Sequence, residues 1–218
     1  VHFVPSELAG VKRFSGLAPY VQCWQAMQAF TEQRTAQSLD EIWLVEHSPV
    51  YTLGQAGKPE HLLDAGQIPV VKSDRGGQVT YHGPGQVVAY VLADLKRTGL
   101  TIRAMVQALE QAVIDTLGEF GLDSACRKDG APGVYLPQGS EDLAKIAALG
   151  IKVRKGCTYH GVALNVDMDL SPFAGINPCG YEGLKTVSMA SAGVSLDWDT
   201  VALTLAGKII TEARLRVE

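Results

Sequence analysis

From residue 101 to residue 120 apolar side chains recur at helical spacing: Ile102, Met105, Val106, Leu109, Val113, Ile114, Leu117 and Phe120 fall on one face. Thr101 is placed to cap this helix and Gly121 to end it. A helix with one long apolar stripe has to bury it against another layer. The segments on both sides of it read as strands: IWLVEH (42–47), ending before Pro49, then VVK (70–72), QVVAYVLADL (86–95), GVYL (133–136), KIAALGIKVR (145–154) and CTYHGVALNVDM (157–168). In the last of these, period two puts His160, Val162, Leu164 and Val166 on one face, and Tyr159, Gly161, Ala163 and Asn165 on the other. Further helices are predicted at 20–33 and from about Asp199 to Leu215, with Asp199 as the cap. The order is helix, strands, long helix, strands, helix. It predicts an α+β fold with a mixed β-sheet flanked by helices, without regular βαβ winding, and one domain over residues 1–218.

Composition narrows the function classes. The chain has 218 residues, 46% apolar and 19% charged, enough to bury a core and too apolar for a disordered chain. Its net charge of -4 offers no general attraction to nucleic acid or anionic lipid. No apolar run reaches the length of a membrane span. VHFVPSELAG lacks the basic-then-apolar pattern of a secretory signal, so a cytoplasmic setting is expected; the chain begins at Val1 and not at Met, consistent with residues upstream of it. Cys23, Cys126, Cys157 and Cys179 form no C-x-x-C pair and no zinc-type spacing with the five histidines, so reduced thiols and no metal are expected.

Three segments carry more than fold information. The first is RGGQVTYHGPGQ (75–86), whose four glycines allow backbone to approach a ligand closely. It fits neither a dinucleotide fingerprint nor a P-loop, and a Gly-rich hairpin with no ligand is the plain alternative. The second is INPCG (176–180). Pro178 and Gly180 shape the chain around Cys179, and a helix starting near Tyr181 would favour its thiolate. A buried structural cysteine is the commoner fate of that residue type. The third is Lys145 at the head of KIAALG. A lysine buried at such a point can serve as acid and base, although a solvated strand-end lysine is the more usual case.

RGGQVTYHGPGQ, KIAALG, TYHGVALNV and INPCG, in that order, together with EHSPVYTLGQAGKPEHLL (46–63) and GVY (133–135), closely resemble the lipoyl(octanoyl) transferase family, the octanoyl-[acyl-carrier-protein]:protein N-octanoyltransferases. The resemblance runs from about residue 15 to 190. One departure is LPQGSEDLA (136–144), longer than the family's usual connection and readable as a loop insertion. The resemblance implies the fold of the biotin and lipoate protein ligase catalytic domains. It implies that Cys179 is the acyl-thioester nucleophile and that Lys145 pairs with it and lowers its pKa. It also implies that Arg75, Gly76, Gly77, Gln78, Val79, Thr80, Tyr81 and His82 line an acyl pocket, with Ala148, Leu149, Gly150, Gly161, Val162 and Ala163 as further substrate contacts. No cofactor is implied. The donor would be octanoyl-acyl carrier protein, and the acceptors lipoyl domains of 2-oxoacid dehydrogenase complexes and the glycine cleavage H protein; a monomer is expected.

Two other classes compete with this reading. An ATP-dependent lipoate or biotin ligase of the same fold would need no nucleophilic cysteine, and a non-catalytic lipid-binding module would form no covalent adduct. Both implied protein substrates are acidic, so local basic groups are expected at the mouth of the pocket. The candidates are Lys152, Arg154 and Lys155, then Lys72 and Arg75, then Arg127 and Lys128.

Overall fold

The structure, a computed structural model, describes residues 3–139, 142–178 and 183–217. Cys179 and Gly180 lie outside the described residues. The strands are β1 (Phe3–Pro5), β2 (Val11–Ala18), β3 (Glu41–His47), β4 (Val50–Leu53), β5 (Val70–Lys72), β6 (Val79–His82), β7 (Gln86–Leu92), β8 (Val134–Gln138), β9 (Asp142–Arg154) and β10 (Cys157–Asn165). The helices are α1 (Tyr20–Gln33), α2 (Leu95–Thr98), α3 (Ile102–Glu119) and α4 (Trp198–Glu212). Seven strands make one sheet in the order β1-β2-β3-β7-β10-β9-β8, and β5-β4-β6 make a smaller one. In the large sheet β2 and β3 run parallel and the other neighbours antiparallel, so the sheet is mixed, as its sequence pattern predicts.

Helices cover both faces of the large sheet, which explains why β7 and β10 read as almost unbroken apolar runs. Val87, Ala89 and Val91 of β7 face the core built on α3 and α4, where Met105, Leu109, Val113, Leu117, Val201 and Leu205 are buried. Val88, Tyr90 and Leu92 face the opposite core, with Cys23 and Met27 of α1. Ile42 and Leu44 against Trp43 and Val45 repeat the alternation on β3. Fully burying one such side chain contributes about 1.5–3 kcal/mol.

Several local expectations change. Thr101 caps α3 as expected, its hydroxyl accepting from the Ala104 amide at 3.1 Å. Ile102, however, is exposed, and Ala108 and Ala112 join the buried stripe, because small residues let α4 approach. α4 begins at Trp198 and is capped by Asp197, not Asp199; the Asp197 carboxylate accepts from the Thr200 amide at 2.9 Å. The residues of LPQGSEDLA described here extend a hairpin, with Pro137 opposite Leu143 and Gln138 opposite Asp142. His160 does not share the face of Val162. Its φ of 60° interrupts the alternation and brings its ring onto Tyr159, 5.1 Å between centroids. A non-glycine residue held in that region costs on the order of 1–3 kcal/mol and marks a site where surrounding structure enforces it.

One buried carboxylate ties distant parts of the chain together. Asp40 accepts from the Arg34 guanidinium at 2.7 Å, from Arg97, and from the Asp94 and Arg216 amides at 3.0 Å each. It thereby joins the end of α1, the start of α2 and the C-terminal tail. Removing one partner of such a buried set strands the remaining charges. Asp40→Ala is therefore expected to lower stability by about 3–5 kcal/mol in urea titrations. A loss within about 0.5 kcal/mol, the range of ordinary surface changes, would show that the two arginines relax into solvent.

Candidate active site

The Arg75–His82 segment lies across β9 and β10. The Gly76 amide donates to the Ile151 carbonyl at 3.1 Å, and a Cβ on Gly150 would stand 2.6 Å from the Gly76 oxygen. Glycine at 150 is what lets the loop backbone rest on β9. Arg75 is buried, and its guanidinium donates to the Thr52 hydroxyl and carbonyl and to the Gly76 and Gln78 carbonyls at 2.6–3.0 Å. It staples the loop to β4, which removes it from the expected set of docking cations.

Between loop and sheet runs a mostly apolar cleft. Arg75, Gly77, Gln78, Val79, Thr80 and His82 line one side, Ala148, Leu149 and Gly150 of β9 and Gly161, Val162 and Ala163 of β10 the other. Gly76 and Tyr81 do not line it. Gly76 serves the loop backbone, and Tyr81 faces the other side of β6, packed on Tyr51 and Phe173. Tyr20, Val88, Tyr90 and His160 complete the walls. Sequence reading missed these four as site residues; only His160 had a signal, its place inside TYHGVALNV.

One end of the cleft is aromatic and polar. His47 donates from Nδ1 to the Ala18 carbonyl at 2.8 Å, so its Nε2 accepts from the Tyr90 hydroxyl at 2.6 Å. Asn165 donates to the Val187 carbonyl, Gln86 donates to Asn165, and the Gln86 oxygen therefore accepts from His82 Nδ1 at 2.7 Å. Burial pushes the His47 ring down to about 4, and His82 is held well below the usual histidine value, chiefly by burial and then by neighbouring His47 and Arg75. Both rings are neutral. The Asp74 carboxylate gathers donors from two elements, Trp24 at 2.7 Å and Gln28 at 3.1 Å from α1, and Tyr159 at 2.5 Å and His160 Nε2 at 2.8 Å from β10. Burial alone would raise its pKa, but the His160 and Tyr159 hydrogen bonds override that and hold it well below the carboxylate range.

At the other end, Thr80 and Ala148 also line a small cavity with Lys145, Asn165, Phe173, Pro178 and Thr186. Lys145 is 4% exposed. Its ammonium donates to the Pro132 carbonyl at 3.1 Å and lies 5.0 Å from the Tyr135 ring centroid. The turn that supplies this carbonyl is itself clamped: Glu110 of α3 accepts from the Gly133 amide at 3.0 Å and from Arg127 at 3.2 Å. Gly133, at φ 144°, leaves room for the lysine, since a Cβ there would fall 2.9 Å from both Cε and Nζ. The expected helix after Cys179 is not present over Gly183–Met189. Thr186 instead bridges Lys145, with the Lys145 amide donating to Lys185 and the Val187 amide to Lys145. A strand-like pairing has used the backbone groups that a helix would have needed. Among the other basic candidates, Arg154 and Lys155 pair with Glu32, and Arg127 with Glu110. No helix among the described residues is long and apolar enough to cross a membrane.

The family model described as the lipoyl protein ligase A/B catalytic domain matches residues 19–208. An octanoyltransferase from Bordetella petrii is 64% identical over 201 residues, 92% of this chain and 94% of that protein. Among solved structures, a bi-partite lipoate protein ligase from Thermoplasma acidophilum superposes with a TM-score of 0.70 at 18% identity, over 93% of this chain and 83% of that one. The biotin protein ligase of Aquifex aeolicus bound to biotin and ATP gives 0.57 at 11%, over 94% and 70%. The fold is thus the one shared by lipoate and biotin protein ligases. The chain belongs to the lipoyl protein ligase A/B catalytic domain family, in its lipoyl(octanoyl) transferase branch. Its activity is that of an acyltransferase.

Proposed function

We propose that residues 1–218 act as one cytoplasmic catalytic unit that moves an octanoyl group from acyl carrier protein to a lysine of lipoyl domains, through a thioester on Cys179. The observation that carries this reading is the continuity of the cleft. Thr80 and Ala148 border both the apolar cleft and the cavity holding Lys145 and Pro178, and Pro178 immediately precedes Cys179. Two of the other thiols are poorly suited to attack. Burial pushes Cys23 up to about 11 and raises Cys157 as well.

The steps balance with a thiolate and an ammonium at the start. The Cys179 thiolate adds to the thioester carbonyl, and the carrier's sulfur leaves with a proton from Lys145. The acyl chain lies in the cleft. Lys145, now neutral, takes a proton from the acceptor lysine as its amine attacks, and collapse of the tetrahedral species returns Cys179 to thiolate. Thioester exchange followed by aminolysis is downhill and requires no nucleotide.

Intact mass spectrometry after incubation with octanoyl-acyl carrier protein tests this directly. The expected result is one octanoyl group, mapped by peptide analysis to Cys179 and discharged by a lipoyl domain. An adduct on Cys126 or Cys157 would overturn the assignment of the nucleophile. No adduct, together with ATP-dependent release of pyrophosphate, would make the protein a ligase instead.

A further inference from the structure

The end of the cleft remote from Lys145 is walled by His160, Tyr20 and Tyr90, and His160 holds a rare backbone conformation. His160 stands opposite Ile151 in the β9–β10 pairing. Ile151 is six residues along β9 from Lys145, about 20 Å of extended strand. The His160 ring, with Tyr20 and Tyr90, forms the wall there, its centroid 6.0 Å from that of Tyr90. Behind the ring is Asp74, whose side chain is 24% exposed.

The ring is fixed by geometry and imperfectly satisfied. Its φ of 60° turns it out of the strand alternation, and Nε2 donates to Asp74. Nδ1 is then an acceptor lone pair, buried, with no hydrogen-bond partner among the described residues. We propose that His160, positioned by Asp74, sets the upper limit on acyl chain length. The proposal rests on the cleft holding the acyl group, as inferred above. A chain that stops short leaves the ring undisturbed. A longer chain runs into the imidazole wall, which the left-handed backbone and the hydrogen bond to Asp74 hold in place. Overpacking against a fixed wall corresponds to discrimination of about ten- to a hundredfold.

The test uses the whole protein with octanoyl-, decanoyl- and dodecanoyl-acyl carrier protein, and lipoyl domain as acceptor. His160→Gly suits the left-handed backbone and opens the end wall; His160→Asn also tolerates that conformation and shortens the side chain. The expected result is a rise of about tenfold or more in the dodecanoyl-to-octanoyl ratio of kcat/KM for the glycine variant, with asparagine between it and the wild type. Melting temperatures report whether each variant is folded. An unchanged ratio in folded variants overturns the proposal, and so does a loss equal at all three chain lengths. If the wild-type protein itself forms no acyl adduct from any of the three donors, the acyl-cleft reading fails instead, which separates the two outcomes.

Discussion

Cys179→Ala is expected to form no acyl adduct and to transfer octanoyl groups no faster than background, while Lys145→Met is expected to lose about 10²–10⁴-fold in turnover. The two losses have different causes and different signatures. Without the thiol there is no covalent intermediate to accumulate. Without the ammonium the thiol remains but ionises at higher pH, so its alkylation profile with iodoacetamide moves upward. Lys145→Arg keeps a positive charge but cannot accept a proton at neutral pH, so it is expected to acylate and then discharge poorly to the lipoyl domain. Gly133→Ala provides an independent probe. A methyl group there would overlap Cε and Nζ of Lys145 at 2.9 Å, in a backbone conformation with φ 144°. It should shift the thiol profile in the same direction as Lys145→Met although it removes no functional group. A normal alkylation profile and near-normal turnover in both Lys145→Met and Gly133→Ala would rule out this role for the lysine.

How much of this could be seen in the chain alone depends on how each element is stabilised. α3 and the β9–β10 pair were legible because their burial is periodic and uninterrupted. β2 was not: VKRFSGLA alternates between exposed and half-buried positions near the sheet edge, so pairing, not apolar pattern, makes it a strand. β6 was hidden inside a Gly-rich stretch that looked like a loop from end to end. Its strand character comes from β4, which it pairs from Val79 to His82. The cleft's loop and strand walls followed from motif resemblance. Its closed end did not, because Tyr20, Tyr90 and Asp74 arrive from three separate elements and only folding collects them. The helix expected after Cys179 failed for a related reason. Local propensity could not show that the Lys145 backbone would pair with the segment around Thr186.

The three buried histidines make stability depend steeply on mild acid. His47, His82 and His160 all have lowered pKa values, with burial the largest cause in each, and His47 falls to about 4. In the unfolded chain these rings titrate at about 6.5. Between those values the unfolded state binds protons that the folded state refuses, so stability falls as pH falls through that window and is fully present above it. For His47 alone the difference corresponds to about 3 kcal/mol, and the other two act in the same direction. Asp74 does not mask the effect. Its pKa is depressed, so the stability it contributes is lost only at pH below the histidine window. Protonation would also turn His47 Nε2 from acceptor to donor, so the buried Tyr90 hydroxyl would have to rotate and lose the acceptor for its own proton. Urea titrations at pH 7.5, 6.5, 5.5 and 4.5 should show stability falling by about 1 kcal/mol between the first two and then by several kcal/mol more. His47→Gln, which can still accept from Tyr90 but does not titrate, should reduce the slope near pH 5 by about 1.4 kcal/mol per pH unit. Equal stability at pH 7.5 and 5.5 in the wild type would mean that these rings take up protons without unfolding the chain, and that the aromatic end of the cleft is wet enough to hold them.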